Sequence, residues 1–106
     1  MARAKTAVKI SKPVEKVVSN TLKQRGAIYG EFIDNAIIAQ GLKDVVRKEP
    51  RFQTMPADQR EAIDVIFSKI ARQITGDYSY DDNFHDIQGY AKLCEDRILT
   101  TPSDEL

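Results

Sequence analysis

The stretch ADQREAIDVIFSKIARQIT, residues 57–75, decides the fold class of this chain. Its large apolar side chains recur at helical spacing and form one face, made of Ile63, Ile66, Phe67, Ile70 and Ile74. Asp58 lies near the positive end of the helix dipole, and Gly76 follows the last turn. The pattern predicts an amphipathic helix over 57–75, capped by Thr54 and with Pro56 in its first turn.

Three more helices are predicted on the two sides of this stretch, over residues 11–25, 30–48 and 84–99. Gly26 is expected to end the first of them, and Asn83 or Asp82 to cap the last. Residues 49–56 contain two prolines and are expected to form a linker. No segment alternates with period two for long enough to suggest a strand. The pattern therefore predicts an all-α, single-domain antiparallel four-helix bundle over residues 11–99.

The second and the last predicted helices differ in their apolar patterns. The second is apolar on more than one face, through Phe32, Ile33, Ala36, Ile37, Ile38, Ala39, Leu42, Val45 and Val46. The last has a single apolar stripe, formed by Phe84, Ile87, Ala91, Cys94 and Ile98. A helix that is apolar over so much of its circumference is either central in a bundle or buried against a second subunit. We therefore expect a homo-oligomer.

Charge is distributed unevenly along the chain. The 106 residues include 16 basic and 16 acidic side chains, so the formal net charge is zero. Residues 1–25 carry seven basic side chains and one acidic one, whereas residues 76–106 carry eight acidic and two basic ones. Residues 1–10 are expected to be a flexible basic arm and residues 100–106 a polar tail. The overall neutrality, and the absence of aromatic residues from the arm, do not favour nucleic acid as a partner.

Several classes of protein are excluded by composition. No apolar run reaches about 18 residues, so no membrane-spanning helix is expected. The basic N-terminus lacks the apolar segment of a secretory signal. Cys94 is the single cysteine, which excludes an internal disulfide and fits a reducing cytoplasm, and no Cys/His cluster suits zinc.

Two pairs of carboxylates are candidate metal ligands. Glu31 with Asp34, and Glu61 with Asp64, are each spaced by three residues, which places both members of a pair on one side of a helix. Two such pairs that face each other would suit Mg²⁺, which prefers oxygen ligands. The alternative is that these residues stabilise helix dipoles or are simply solvated. Glu61 lies almost opposite the apolar face of its helix, while Asp64 lies at the edge of that face.

The candidate ligand-binding residues fall in three segments. Lys69 and Arg72, one turn apart, suit a polyphosphate, or alternatively pair with nearby acids. Arg25 and Tyr29 lie in a segment with two glycines that forms either an anion-binding turn or a plain helix connection. The loop from Gly76 onward is dense in polar and aromatic groups, and such loops often carry sites. From this loop and the helix after it we select Asp77, Asp82, Asp86 and Tyr90.

Several spaced motifs resemble a family of small phage and prophage proteins of unknown function. They are RGAIYGEF (25–32), QGLK (40–43), REAID (60–64), KIAR (69–72), GD (76–77) and DDNFHDIQGYA (81–91), within a match over about residues 21–98. This chain has Phe84 where the family usually has Trp, and Tyr78 where Pro is common. The resemblance implies a phage protein that acts in the cytoplasm of a bacterial host.

The family is similar, more distantly, to phage domains of nucleotide metabolism and to helical nucleoside triphosphate pyrophosphohydrolases. The latter use paired E-x-x-E and E-x-x-D motifs to bind Mg²⁺, and here Asp34 stands where a Glu would be expected. This similarity implies recognition of a nucleotide or polyphosphate. In the enzymatic version, a Mg²⁺-dependent pyrophosphohydrolase, Lys69 and Arg72 would neutralise the phosphate charge.

Two non-enzymatic alternatives stay open at the level of sequence. One is a phage accessory protein that sequesters a nucleotide signal and needs no metal. The other is a factor that binds a host protein through its charged surfaces.

Overall fold

The computed structural model describes residues 12–106, with side chains from residue 18 onward. These residues form five α-helices and a short 3₁₀ helix, Ser103–Glu105, with no strand among them. The α-helices are α1 (Lys12–Tyr29), α2 (Phe32–Arg47), α3 (Pro50–Thr54), α4 (Ala57–Thr75) and α5 (Asp82–Thr100). The all-α prediction is confirmed, and none of these helices has the length and apolar content needed to cross a membrane. The predicted basic arm lies outside the described residues.

Helix α4 has the predicted bounds, but its start is built differently. Its N-cap residue is Pro56, whereas the hydroxyl of Thr54 donates to the backbone oxygen of Arg51, 2.7 Å away. The prediction that Thr54 caps this helix is therefore wrong. Residues 49–56 are not a plain linker either, because they contain α3. Proline is compatible with the first position of a helix, and Phe52 fixes α3 by being buried, with 8% of its surface exposed.

Helix α1 continues through Gly26, so the prediction that Gly26 ends it is wrong. The helix ends one turn later at Gly30, whose φ is +80° and whose N–H donates to the backbone oxygen of Gly26 at 3.0 Å. A glycine inside a helix costs about 1 kcal/mol relative to alanine. The extra turn places Ile28 and Tyr29 against the connection between α4 and α5, and these contacts offset that cost.

Helix α4, and not α2, lies at the centre of the described residues. It packs against α2 on one side and α5 on the other, while α1 meets α2 and α4 in fewer places. The antiparallel four-helix bundle thus stays a prediction. The predicted apolar face of α4 is only partly covered, since Ile74 is 65% exposed. The buried apolar residues are mostly small, which lets the helix backbones approach: Ala39, Phe52, Ala62 and Ala71.

The tightest packing joins two turns, residues 28–30 and 75–77, which we call the glycine junction. The N–H of Asp77 donates to the backbone oxygen of Ile28 at 2.8 Å. A Cβ at Gly30 would lie 2.5 Å from the backbone oxygen of Thr75, and one at Gly76 would lie 2.7 Å from the Cα of Tyr29. Only glycine permits this backbone-to-backbone approach, so the junction fixes the end of α1 against the end of α4.

The Thr75 hydroxyl adds side-chain contacts to the glycine junction. It lies 3.2 Å from the backbone oxygen of Tyr29 and 2.9 Å from that of Ala71, and it also contacts the side-chain amide of Asn35. The hydroxyl has one proton, which it shares among these three oxygen acceptors, the Oδ1 atom of Asn35 included. Helices α1, α2 and α4 are thereby held together at one point.

Candidate functional site

Tyr29, the last residue of α1, carries two guanidinium groups on its ring. The Cζ of Arg25 lies 5.0 Å from the ring centroid, and the Cζ of Arg72 lies 5.4 Å from it. Arg25 precedes Tyr29 by one helical turn, whereas Arg72 comes from the last turn of α4. Each contact of this kind is worth about 0.5–1 kcal/mol at an exposed site. Two cationic side chains from different helices therefore meet at one ring.

The other contacts of Tyr29 fix its orientation. Its hydroxyl donates to Oδ2 of Asp82 at 3.1 Å, and its ring meets that of Tyr80 edge-on, with centroids 6.0 Å apart. Burial raises the pKa of Tyr29 above its ordinary value of 10.0, and the hydrogen bond to Asp82 raises it further, against a lowering by Arg25. Tyr29 is therefore a protonated hydrogen-bond donor at neutral pH.

Two adjoining cavities, which we call together the Tyr29 groove, open beside this ring. The first, of about 280 Å³, lies between α1, α2 and α4 and includes Arg25, Tyr29 and Glu31 in its wall. The second, of about 180 Å³, runs along α2 and α4 to Lys43 and Ser68. Both have Phe32, Asn35 and Arg72 in their walls, so they lie side by side.

The Tyr29 groove has more positive than negative charge in its walls. Among residues 18–106, no carboxylate lies within ion-pair distance of Arg25, Lys43 or Arg72. The ammonium of Lys43 donates to the neutral hydroxyl of Ser68 at 3.0 Å. Glu31, which is exposed, is the one acid in the wall of either cavity. The groove is thus suited to a ligand with several negative charges.

Of the eight predicted ligand residues, the structure brings four together around the Tyr29 ring: Arg25, Tyr29, Arg72 and Asp82. Lys69 is instead paired with Asp86, with Nζ 2.8 Å from Oδ2. Hydrogen bonding to Lys69 lowers the pKa of Asp86, against the effect of burial. These two charges largely neutralise each other.

Asp77 and Tyr90 have other surroundings. Asp77 Oδ1 accepts from the N–H of Ser79 at 2.9 Å and from its hydroxyl at 2.5 Å. These bonds lower the pKa of Asp77 and shape the turn after α4. Tyr90 lies in a separate cavity of about 610 Å³ on α5, whose wall includes Asp86 and Leu93.

The four predicted metal ligands do not form one cluster. In the part of the chain that the structure describes, no group of three or more His, Cys, Asp or Glu side chains is placed to hold an ion. Glu31, Asp34 and Glu61 are exposed, whereas Oδ1 of Asp64 is buried without a hydrogen-bond partner. The donors present in the described residues do not fit a Mg²⁺ site of the predicted kind.

The groove wall also contains residues that the sequence did not single out as ligands: Phe32, Asn35, Lys43 and Ser68. A signal was present on α2. Phe32, Asn35 and Lys43 are separated by three and eight residues, so they share one face of that helix. On the second predicted helix, the apolar residues predict packing and Glu31 with Asp34 predict a metal site, and neither pattern points to Asn35 or Lys43.

No family model, no curated protein and no solved structure matches this chain. The resemblance to small phage proteins stays a prediction, and the function must be inferred from the groove itself.

Proposed function

We propose that this protein binds a nucleotide or a related polyphosphate in the Tyr29 groove. The observation that supports this most directly is the pair of guanidinium groups on Tyr29, neither of which has a carboxylate partner among the described residues. The N–H groups of both guanidinium groups are therefore available to a ligand, although the carboxylate of Asp86 acts on Arg72 electrostatically. A polyphosphate would accept hydrogen bonds from them, because arginine forms bidentate hydrogen bonds with phosphate oxygens.

The groove also offers a surface for the base of a nucleotide. The ring of Phe32 is 83% exposed although it lines both cavities, so its apolar face is available to a ligand. Stacking of a base on an aromatic side chain contributes about 1–3 kcal/mol in nucleic-acid complexes. Lys43, at the far end of the groove, would pair with a second anionic group. The side chains therefore fit a ligand that combines a base with phosphates.

Binding without chemistry is the version of this function that the side chains favour. The carboxylates expected to hold Mg²⁺ are not grouped, and His85, the one histidine of the chain, is exposed on α5. Sequestration of a nucleotide needs only the cations and the aromatic rings. A Mg²⁺-dependent pyrophosphohydrolase is retained as an outcome of the test.

The test compares four probes by thermal shift and calorimetry: ATP, ADP, tripolyphosphate and adenosine. A bound ligand stabilises the fold by RT ln(1 + [L]/Kd), about 2.7 kcal/mol at a hundredfold excess over Kd. We expect ATP and tripolyphosphate to raise Tm and adenosine to raise it least. Arg72→Gln and Arg25→Gln should each weaken ATP binding about tenfold or more, since each removes a charged hydrogen-bonding group.

Matched controls separate the groove from general electrostatics. Arg51→Gln, which removes a guanidinium that is 90% exposed on α3, should leave the ATP affinity unchanged. Phe32→Ala should weaken ATP binding but not tripolyphosphate binding. The proposal is wrong if no probe shifts Tm, or if Arg51→Gln lowers the affinity as much as Arg72→Gln does. If phosphate is released from ATP in the presence of Mg²⁺, and Asp64→Asn abolishes that release, the function is hydrolysis and not simple binding.

A further inference from the structure

Helix α2 carries an apolar stripe on the side turned away from α4. Ile37 is 65% exposed and Val45 is 68% exposed, and Gly41 lies midway between them. The three residues are spaced by four, so they follow one another along the same side of the helix. A Cβ built at Gly41 would meet nothing within 4 Å. Large aliphatic side chains thus flank an open notch on the surface.

The ends of this stripe carry opposite charges. Asp34 lies seven residues before Gly41 and Lys48 lies seven residues after it, and both are exposed. Seven residues are close to two helical turns, so both charges lie on the same side as the apolar residues. We call residues 34, 37, 41, 45 and 48 the outer stripe. Aliphatic side chains lie at equal distances along the helix on the two sides of Gly41, whereas the charges at the two ends of the stripe are opposite.

We propose that the outer stripe is covered by a second copy of this chain, with the two α2 helices packed antiparallel around a two-fold axis at Gly41. In that arrangement Ile37 contacts the partner subunit's Val45, and Asp34 pairs with the partner subunit's Lys48. A two-fold interface repeats each contact, so two ion pairs and two apolar contacts form. The parallel arrangement would instead place Asp34 against its own copy.

Two further observations favour this occupant over an unrelated partner. The charge pattern complements itself, which an unrelated partner does not require, and the glycine notch lies at the point where a two-fold axis brings two backbones closest. At 100° per residue, Gly41 lies about 180° from Phe32 around α2, so the dimer leaves the Tyr29 groove open. The proposed dimer is therefore independent of the proposed ligand.

Sedimentation equilibrium over a range of protein concentrations tests the proposal. The unmodified chain should show a monomer–dimer equilibrium. Asp34→Lys and Lys48→Asp should each weaken the dimer about tenfold or more, because each places like charges together twice. The double reversal, Asp34→Lys with Lys48→Asp, should restore dimerisation. Lys92→Asp, which disturbs an exposed charge pair within α5, serves as the control and should have no effect.

The apolar contact is tested separately with Val45→Glu, which should make the chain monomeric while circular dichroism shows unchanged helix content. A chain that is monomeric at every concentration overturns the proposal. So does a dimer that survives Val45→Glu, or a double reversal that does not regain the dimer lost in both single variants. Such a surviving dimer would place the interface elsewhere on the surface.

Discussion

The glycine junction and the outer stripe of α2 both depend on glycine, but in opposite ways. At the junction, Gly30 and Gly76 are surrounded so closely that a Cβ would overlap backbone atoms of the opposite turn. On the outer stripe, nothing lies near the position of a Cβ at Gly41. The first arrangement is complete within one chain. The second has the pattern expected of one subunit's surface in a two-fold interface.

This difference shows where the chain achieves close packing. Among residues 18–106, the buried apolar residues are three alanines and one phenylalanine, which is a small core. The turns at the junction hold Arg25, Tyr29 and Arg72 in register instead, since those residues lie on the two helices that the junction fastens. The junction therefore fixes two of the helices that form the groove, whereas nothing in the described residues covers the notch at Gly41.

Substitutions that add a side chain at a glycine of the glycine junction should have the largest effect on stability. Gly30→Ala places a side chain at positive φ, and Gly76→Ala places one against the Tyr29 backbone. Overpacking of this kind costs about 1–3 kcal/mol, and the left-handed conformation about 1–2 more, so we expect a loss of about 4 kcal/mol for Gly30→Ala. Urea denaturation followed by circular dichroism measures it.

Gly26→Ala is the matched control for the junction. Gly26 lies inside α1, and a Cβ there would make only an ordinary contact, 3.8 Å from Oε1 of Glu31. Alanine should raise the free energy of unfolding by about 0.5–1 kcal/mol, because it is the better helix former. A destabilised Gly26→Ala would contradict the continuous α1 and favour a helix that ends at residue 25.

Two phenylalanines provide the next comparison, between a covered ring and an open one. Phe52 is 8% exposed and Phe32 is 83% exposed. Phe52→Ala should lower the free energy of unfolding by about 3 kcal/mol, because it removes a large ring from the core. Phe32→Ala should change it by less than about 0.5 kcal/mol. Equal losses in urea denaturation would mean that a partner or another part of the chain covers Phe32.

The smallest expected effect on stability comes from ionisation of the Tyr29 hydroxyl at high pH. Its pKa is raised in the folded state, so its contribution to stability is complete below the unfolded pKa of about 10 and is lost as pH rises through the folded pKa. Tm should therefore fall as pH rises above about 10, and less steeply in Tyr29→Phe. The Tm of Tyr78→Phe, a variant at a ring that is 86% exposed, should fall with pH as steeply as that of the unmodified chain. Identical slopes in all three chains would contradict the burial of the Tyr29 hydroxyl.

Local sequence signals predicted the helices well wherever no distant contact competes with them. The apolar period and the flanking glycine placed residues 57–75 in α4. The same rule failed at Gly26, because the contacts of Ile28 and Tyr29 with a turn more than 40 residues away extend α1. It failed again for α3, where burial of Phe52 makes a helix of a segment with two prolines.

The candidate site could be predicted only in part, because contacts between residues distant in sequence also decide which side chains meet there. Arg25, Tyr29 and Arg72 stand out by residue type and by proximity to glycines, and the structure brings them together. The spacing of the carboxylates is a property of single helices and carries no information on how the helices face each other. Whether Asp34 and Asp64 meet depends on the packing of α2 against α4, which a single sequence does not reveal.

The glycine junction also bears on the order of folding. Thr75 contacts Tyr29 across 46 positions of the chain, whereas every turn of a helix closes within four. Closing so long a loop is entropically costly, and contacts distant in sequence slow folding more than local ones. We therefore expect helices α2 and α4 to form before the junction closes, and the groove to be completed late in folding. A ligand of the groove encounters only the finished fold, so it should slow unfolding while leaving the refolding rate nearly unchanged.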